Sequence, residues 1–290
     1  MIAGTAGSLA SPDWIRHLRY ACPRCRGPVE LLEGTEAAHC RSCGFRASRA
    51  EGVTCFLPAT PVNEWQEFYE TKAEGEKGDT TRGIGYKLPI QHRYIVEGFR
   101  TICGERPVGV AILDVGCGNG LFWRALFGDR PAVGVDFSRR MCILAQAKGM
   151  HVCQADATAL PFAEAQFDLV YSAEMVQCIA DLQAFMGELT RVCRPGGRII
   201  ISTLNRSSLV RGTLLSAWRL FHGPITAADK LPVRRTATEI VAFAHSMSLV
   251  FTRICWTHFP FPWHHCAETT RYALHPFASN MILEFAKPSR

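Results

Sequence analysis

Long apolar runs in the middle of the chain predict buried parallel strands. Residues 110–115 and 132–135 are apolar almost throughout, as in strands that helices cover on both faces. Apolar positions at helical spacing between 89 and 103 predict a helix before the first run. Residues 236–249 predict another helix, which returns the chain to the sheet. The pattern as a whole indicates an α/β domain.

The turn after the first apolar run is rich in glycine. Asp114 is followed by glycine at positions 116, 118 and 120, and the second run ends at Asp136. Without Cβ atoms, glycines let backbone N–H groups approach a ligand, and a carboxylate such as Asp136 is suited to accept both hydroxyls of a ribose. A tight strand-to-helix turn without a ligand would use the same glycines. The dinucleotide fingerprint G-x-G-x-x-G does not fit, because its sixth position is Leu121.

The alternate glycines resemble motif I of the class I S-adenosylmethionine (SAM)-dependent methyltransferases, close to (D/E)-x-G-x-G-x-G. Residues 154–174 and 191–205 resemble the later motifs of that superfamily, in the same order. The resemblance is to its UbiE/UbiG-like members, methyltransferase type 11. It implies an α/β, Rossmann-like, doubly wound, mostly parallel seven-stranded sheet. The implied later strands are a fourth at 167–170, a fifth after Pro195-Gly196-Gly197, and an antiparallel C-terminal hairpin of 250–256 and 280–286.

By this resemblance the cofactor is SAM, Asp136 holds its ribose and Asp156 its adenine amino group. Taken alone, Asp156 would be a helix N-cap and the Pro-Gly-Gly sequence a plain turn. The predicted cofactor-binding residues are Asp114, Gly116, Cys117, Gly118, Gly120, Asp136, Phe137, Asp156, Ala157 and Ser172.

Four cysteines near the N-terminus form two C-x2-C pairs, Cys22 with Cys25 and Cys40 with Cys43. Their separation is close to the spacing at which two β-turns present four thiolates to Zn²⁺. Either pair alone could be a redox pair. Residues 20–58 resemble the Trm112-like zinc-ribbon family. A closed shell of four thiolates leaves no position for substrate, so we predict a structural zinc and no catalytic metal.

The predicted domains are a zinc ribbon over 1–60, a helical linker or flap over 61–105, and a SAM-binding methyltransferase domain over 106–290. Within the last, we predict a lid insertion at about 206–232 and an aromatic loop at 257–276. The N-terminus lacks a signal-peptide pattern, and no apolar run has the roughly 18 residues of a membrane span. The thirteen cysteines are an odd number and scattered, as where thiols stay reduced. We therefore expect a cytoplasmic protein.

The acceptor side of the site is predicted from the linker, the lid and the aromatic loop. Asn205 and Arg206 resemble an element of UbiG-like quinone O-methyltransferases. The apolar stripe of the lid suits an apolar substrate, a membrane surface or packing on the core. A base near neutral pKa suits a hydroxyl acceptor, and its candidates are His264, His265, His258 and His92, with Glu174 as another option. The predicted substrate contacts are Tyr86, Asn205, Arg206, Trp256, Phe261 and Trp263.

Two functions follow from these patterns. The first is methyl transfer, most plausibly to oxygen, on a small apolar or aromatic acceptor in a biosynthetic pathway of the natural-product or quinone type. The second is RNA methylation, because seven arginines lie between Arg16 and Arg49. Five acidic residues are interspersed among them and the formal charge is only +6, so we favour the small molecule over nucleic acid. A monomer and a homodimer fit the sequence equally.

Overall fold

A computed structural model describes residues 13–32, 36–58, 64–74, 79–80, 89–104, 109–209, 235–257, 267–269 and 277–289. The described strands form one twelve-stranded sheet in the order β1-β2-β3-β4-β7-β6-β5-β8-β9-β12-β10-β11. The seven strands from β7 to β10 in this order are the predicted doubly wound sheet. β7, β6, β5, β8 and β9 are parallel, and β12 and β10 form the predicted antiparallel hairpin.

The elements follow the predicted alternation of strand and helix. The N-terminal strands are β1 Glu30–Leu31, β2 Glu36–His39, β3 Arg46–Ala50 and β4 Val53–Cys55. The later strands are β5 Ile112–Val115, β6 Val133–Asp136, β7 His151–Gln154, β8 Phe167–Ser172, β9 Cys193–Leu204, β10 Val250–Thr257, β11 Ala267–Thr269 and β12 Asn280–Ala286. The helices are α1 Asp13–Arg16, α2 Glu64–Lys72, α3 Pro89–Cys103, α4 Leu121–Phe127, α5 Arg139–Gln146, α6 Leu182–Val192 and α7 Ala237–Ser246, with a 3-10 turn at Val176–Cys178.

The strands of the N-terminal segment, predicted as a zinc ribbon over 1–60, are continuous with the sheet. β4 pairs in parallel with β7, with Thr54 opposite Cys153 and Cys55 opposite Gln154. The backbone N–H of Phe56 extends the pairing by donating to Gln154 O at 2.8 Å. The strands on the two sides of the boundary predicted at residue 60 therefore belong to one hydrogen-bonded sheet.

Side chains also fasten the ribbon to the sheet. The Tyr20 ring stacks on Phe56 at 6.0 Å and packs on Phe162 at 5.6 Å. Arg26 donates to the buried carboxylate of Glu188 at 2.8 Å, and Leu160 N donates to the same oxygen. Arg26 has a φ of 64°, a conformation that costs a non-glycine residue about 1–2 kcal/mol. Its ion pair across the junction offsets that cost.

The core consists of apolar strands sandwiched between two layers of helices. All four residues of β5 and of β6 are buried, as their continuous apolar runs predicted. α6 and α7 cover one face, while α3 and α4 cover the other. Among the described helices, none combines the length and apolar composition needed to cross a membrane.

The C-terminal region departs from the prediction in one element. Residues 257–276 were predicted to be a loop, but β11 lies within them and pairs with β10, with Trp256 opposite Ala267. The sheet therefore ends at β11. The remainder of the aromatic loop, and the lid beyond Leu209, lie outside the described residues.

Candidate functional site

A cleft opens at the carboxyl ends of the parallel strands, on both sides of the point where the strand order reverses between β5 and β8. Ligands bind at this place in doubly wound sheets. The turns after four neighbouring strands supply most of the wall: 116–118 after β5, 136–137 after β6, 155–157 after β7 and 173–175 after β8. The other lining residues are Leu57, Trp65, Tyr69, Phe122, Val135, Cys178 and Ile179.

The glycine turn forms the floor of the cleft. Gly116 has a φ of 83°, and a Cβ at this position would lie 2.5 Å from Met175 Sδ. Any larger residue would therefore clash with the Met175 side chain and would be strained at this φ. Gly116 N and Cys117 N both donate to Val135 O, at 2.7 and 3.0 Å, which fastens the turn to β6.

Asp136 lines the cleft at the end of β6. Its Oδ2 accepts from Gly118 N and its Oδ1 from Ser138 N, both at 2.9 Å. Burial raises the pKa of the Asp136 carboxyl to about 6. Each carboxylate oxygen accepts more than one hydrogen bond, so the fixed side chain retains capacity for ribose hydroxyls.

Asp156 and Ala157, two of the predicted cofactor-binding residues, line the cleft beyond β7. Asp156 Oδ1 accepts from Thr158 N at 2.8 Å and from Thr158 Oγ1 at 2.7 Å. The Asp156 side chain thus stabilises the turn that follows it. This is similar to the helix N-cap role that the sequence offered as the alternative to adenine binding. A capping bond to one oxygen does not exclude a ligand contact through the other.

Three predicted cofactor residues lie behind the cleft wall. Asp114 is 1% exposed, accepts from Tyr171 Oη at 2.6 Å, and has its pKa raised to about 8 by burial. Ser172 is fully buried, and Gly120 packs against Ala145. Asp114 Oδ1 and Ser172 Oγ are buried without a hydrogen-bond partner among the described residues. Such polar atoms beside a glycine turn suit a site that a polar ligand completes.

α2, the first helix of the predicted linker or flap, forms a wall of the cleft, although none of its residues was predicted to be a site residue. Trp65 and Tyr69 line the cavity, and Tyr69 packs on Phe137 at 6.0 Å. Glu70 fixes the helix by accepting from Arg139 N at 2.6 Å and from Arg140 N at 3.3 Å, at the start of α5. The cluster of aromatic residues at positions 65, 68 and 69 was the feature of the sequence that could have indicated this wall.

Glu174 also lines the cleft, directly after β8. Its Oε1 accepts from Ser202 Oγ at 2.9 Å and its Oε2 from Asn280 Nδ2 at 2.7 Å. Among the predicted base candidates, Glu174 is the one that the described structure places on the wall. His92 packs edge-on against Phe122 at 5.7 Å, one ring behind the wall, and burial lowers its pKa.

The described substrate candidates lie away from the cleft. Trp256 is 2% exposed in the core, because its β10 position faces α7 and not the strand ends. Asn205 is buried and donates to Ala278 O at 2.8 Å. Arg206 pairs with Glu239 at 3.2 Å. Tyr86, His258, Phe261, Trp263, His264 and His265 lie outside the described residues.

The four ribbon cysteines converge. The Sγ atoms of Cys22, Cys25, Cys40 and Cys43 all lie within 4.8 Å of one another. Zn–S bonds of about 2.3 Å in a tetrahedron place sulfurs about 3.8 Å apart, so the cluster has the size and donor set that Zn²⁺ takes.

Comparison with known proteins agrees with the geometry. Residues 113–201 match the family model described as "Methyltransferase domain". A malonyl-[acyl-carrier protein] O-methyltransferase of Erwinia billingiae is 37% identical over 147 residues, 47% of this chain and 57% of the relative. A protein of the same name from Hahella chejuensis is 39% identical over 185 residues, 59% of this chain and 63% of the relative. The match thus spans less than two thirds of each relative.

Solved structures share the fold. A complex between the Haloferax volcanii Trm112 methyltransferase activator and a putative methyltransferase contains a chain matched with a TM-score of 0.56 and 17% identity, over 79% of this chain and 100% of that one. A possible histamine N-methyltransferase from Thermotoga maritima matches with a TM-score of 0.55 and 17% identity, over 68% of this chain and 92% of that one. Residues 113–201 thus match a methyltransferase domain, and the sheet around them has the fold of solved SAM-dependent methyltransferases.

Proposed function

We propose that this protein transfers a methyl group from SAM to an oxygen atom of a small acceptor. The cleft carries the proposal, because the glycine turn, Asp136 and Asp156 lie side by side at the switch point of the sheet. Its remaining wall is mostly apolar and aromatic. Relatives named O-methyltransferases support oxygen as the accepting atom.

The residues around the cleft fit SAM as a ligand. We assign the ribose hydroxyls to Asp136, the adenine edge to Asp156 and Ala157, and the methionine portion to the turn at Gly116 and Gly118. When bound, SAM supplies an electrophilic methyl carbon. The protein's part is to orient the acceptor in line with the S–CH3 bond and to exclude water. Trp65 and Tyr69 of α2 are suited to the second task.

The cysteine cluster is proposed to hold one structural Zn²⁺. Zinc would order the ribbon, whose β1 and β2 are short and have few apolar residues of their own. Residue 57, at the end of the ribbon, lines the cleft. The metal would thereby support one edge of the cofactor site without taking part in methyl transfer.

The arginines of the ribbon favour the small acceptor over RNA. Arg26 pairs with Glu188 at 2.8 Å and Arg41 with Glu30 at 2.9 Å. Arg24 lies over the Phe45 ring at 5.8 Å. Arg16 and Arg46 also have intramolecular contacts. At least five of the seven arginines therefore make contacts within the protein, which weakens the case for a phosphate-binding surface.

The proposal is tested with SAM labelled in its methyl group. Purified protein is incubated with a small-molecule extract, with malonyl-[acyl-carrier protein], or with total RNA. We expect label in the small-molecule fraction and none above background in RNA. Label on the malonyl carboxylate of the carrier protein would support methyl transfer to oxygen, but to an anionic acceptor and not to a hydroxyl group. Label in RNA alone would contradict the choice of acceptor, and failure to bind SAM would contradict methyl transfer itself.

A further inference from the structure

Glu174 is held rigidly at the edge of the cleft. Its own N–H donates to Ser202 Oγ at 2.8 Å, which leaves the Ser202 hydrogen free to donate to Glu174 Oε1 at 2.9 Å. Asn280 Nδ2 donates to Oε2 at 2.7 Å. Ser202 is fully buried and Asn280 is 4% exposed. Both donors lie on strands of the central sheet, so the carboxylate has a fixed position.

The backbone at Glu174 is strained. Its φ is 56°, in the left-handed region that favours glycine, and it is a non-glycine residue in that region on the cleft wall. Strain of this kind costs about 1–3 kcal/mol and concentrates at functional sites. Glycine here would remove the strain but also the carboxylate. The position of the strained Glu174 on the cleft wall therefore indicates a functional role for its carboxylate.

The order of strands fixes which part of the cofactor Glu174 meets. Asp156, Asp136, Gly116 and Glu174 follow β7, β6, β5 and β8, which are consecutive in the sheet. If adenine binds at Asp156 and ribose at Asp136, the glycine turn would hold the methionine portion of SAM, and Glu174 after β8 would lie beyond it. Met175, next to Glu174, occupies the space beside Gly116, where a Cβ would lie 2.5 Å from its Sδ. Glu174 is thus the carboxylate nearest to the acceptor side.

Electrostatics support this placement. Burial is the main reason why the pKa of Cys178 is raised to about 12. The negative charges of Asp136 and Glu174 raise it further. The same two carboxylates also raise the pKa of Tyr69, again after burial. Glu174 and Asp136 are therefore both close enough to Cys178 and Tyr69 to affect them, and all four residues line the cleft.

We propose that Glu174 is the catalytic base, and that the acceptor is consequently a neutral hydroxyl compound and not a carboxylate. This rests on the proposed function above. The acceptor oxygen bonds to the methyl carbon as the S–CH3 bond breaks, and the electrons of that bond remain on sulfur. The hydroxyl proton passes to a Glu174 oxygen and then to water. An anionic acceptor would be repelled by the fixed carboxylate and would need no base.

Two SAM analogues test the placement without a known acceptor. S-adenosylhomocysteine lacks the methyl group, whereas sinefungin has an amine where the methyl would be. A carboxylate at that point forms a charge-assisted hydrogen bond with the ammonium form of the amine. We expect the wild-type protein to bind sinefungin about 10- to 100-fold more tightly than S-adenosylhomocysteine, measured by calorimetry.

Glu174→Gln should abolish most of this preference and leave the affinity for S-adenosylhomocysteine unchanged. Glu97→Gln, on the exposed face of α3, is the matched control and should retain the preference. A preference that survives in Glu174→Gln would overturn the proposal. So would a wild-type protein that binds both analogues equally, whether or not the variant folds. If the wild type binds neither analogue, the proposed function itself fails.

Discussion

Asp114 shows how burial of a single carboxyl group links stability to pH. The side chain is 1% exposed, and its Oδ2 accepts a hydrogen bond from the Tyr171 hydroxyl at 2.6 Å. Burial raises its pKa from 3.8 to about 8. Between these values the folded protein holds a proton that the unfolded chain releases. Stability from this group is therefore present at low pH and lost as pH rises.

The Asp114→Asn variant should remove this dependence. One proton corresponds to about 1.4 kcal/mol per pH unit, so the wild-type free energy of unfolding should fall from pH 5 to pH 7 by about 2–3 kcal/mol more than that of the variant. Urea unfolding at both pH values measures the difference. Equal slopes in the two proteins would show that Asp114 is not a buried, protonated carboxyl group.

Arg26 illustrates what a residue pattern cannot reveal. The two cysteine knuckles were recognised from their spacing, and both close with similar hydrogen bonds: Arg26 N to Cys22 O and Gly44 N to Cys40 O, each at 2.9 Å. The residue after the second cysteine has a positive φ in both knuckles. It is Gly44 in one knuckle and Arg26 in the other. The reason is the ion pair with Glu188, 162 residues away in the chain. No local pattern contains that contact.

The helices and strands that could be predicted are those with strong periodicity. β5 and β6 were recognised because buried parallel strands are apolar on both faces, and the antiparallel pair β10 and β12 was also confirmed. The pairing of β4 with β7 was missed because it uses backbone groups and carries no sequence signal. α2 lies in the predicted linker or flap, but Trp65 and Tyr69 were not predicted as site residues because they belong to no recognisable motif.

Glu70 provides a test of the part that α2 plays. Glu70→Gln weakens the contacts with Arg139 N and Arg140 N, and should loosen the wall formed by Trp65 and Tyr69. We expect the affinity for S-adenosylhomocysteine to fall by about tenfold, because a bound ligand must then order the helix. Isothermal titration calorimetry measures this change.

Glu67→Gln, on the exposed side of the same helix, is the control and should bind like the wild type. An unchanged affinity in Glu70→Gln would mean that α2 does not need its anchor on α5 to cover the cofactor.

The ribbon and the methyltransferase domain share one sheet, which makes the cysteine cluster relevant to the entire fold. β4 continues the parallel strands, and residue 57 reaches the cleft. Disorder in the ribbon would therefore expose the edge of β7 and one wall of the site. We expect the two parts to unfold together in one transition.

Removal of one zinc ligand tests this coupling. Cys25 is exposed, so Cys25→Ser removes a thiolate without removing buried packing. The variant should lose the one zinc expected per chain. Even a 2 kcal/mol loss lowers the melting temperature by about 4–8 °C in a protein of roughly this size. Elemental analysis and scanning calorimetry provide the measurements. A zinc-free variant whose main transition is unchanged would show that the ribbon is energetically independent.

The assignment of the cleft as a SAM site depends above all on Asp136. Its carboxylate is fixed by Gly118 N and Ser138 N and lies at the end of β6, where a ribose is expected. The decisive measurement is the dissociation constant of S-adenosylhomocysteine for the wild type and for Asp136→Ala. We predict binding by the wild type and a loss of about 100-fold in the variant, with unchanged zinc content. Equal affinity in the two proteins would contradict it.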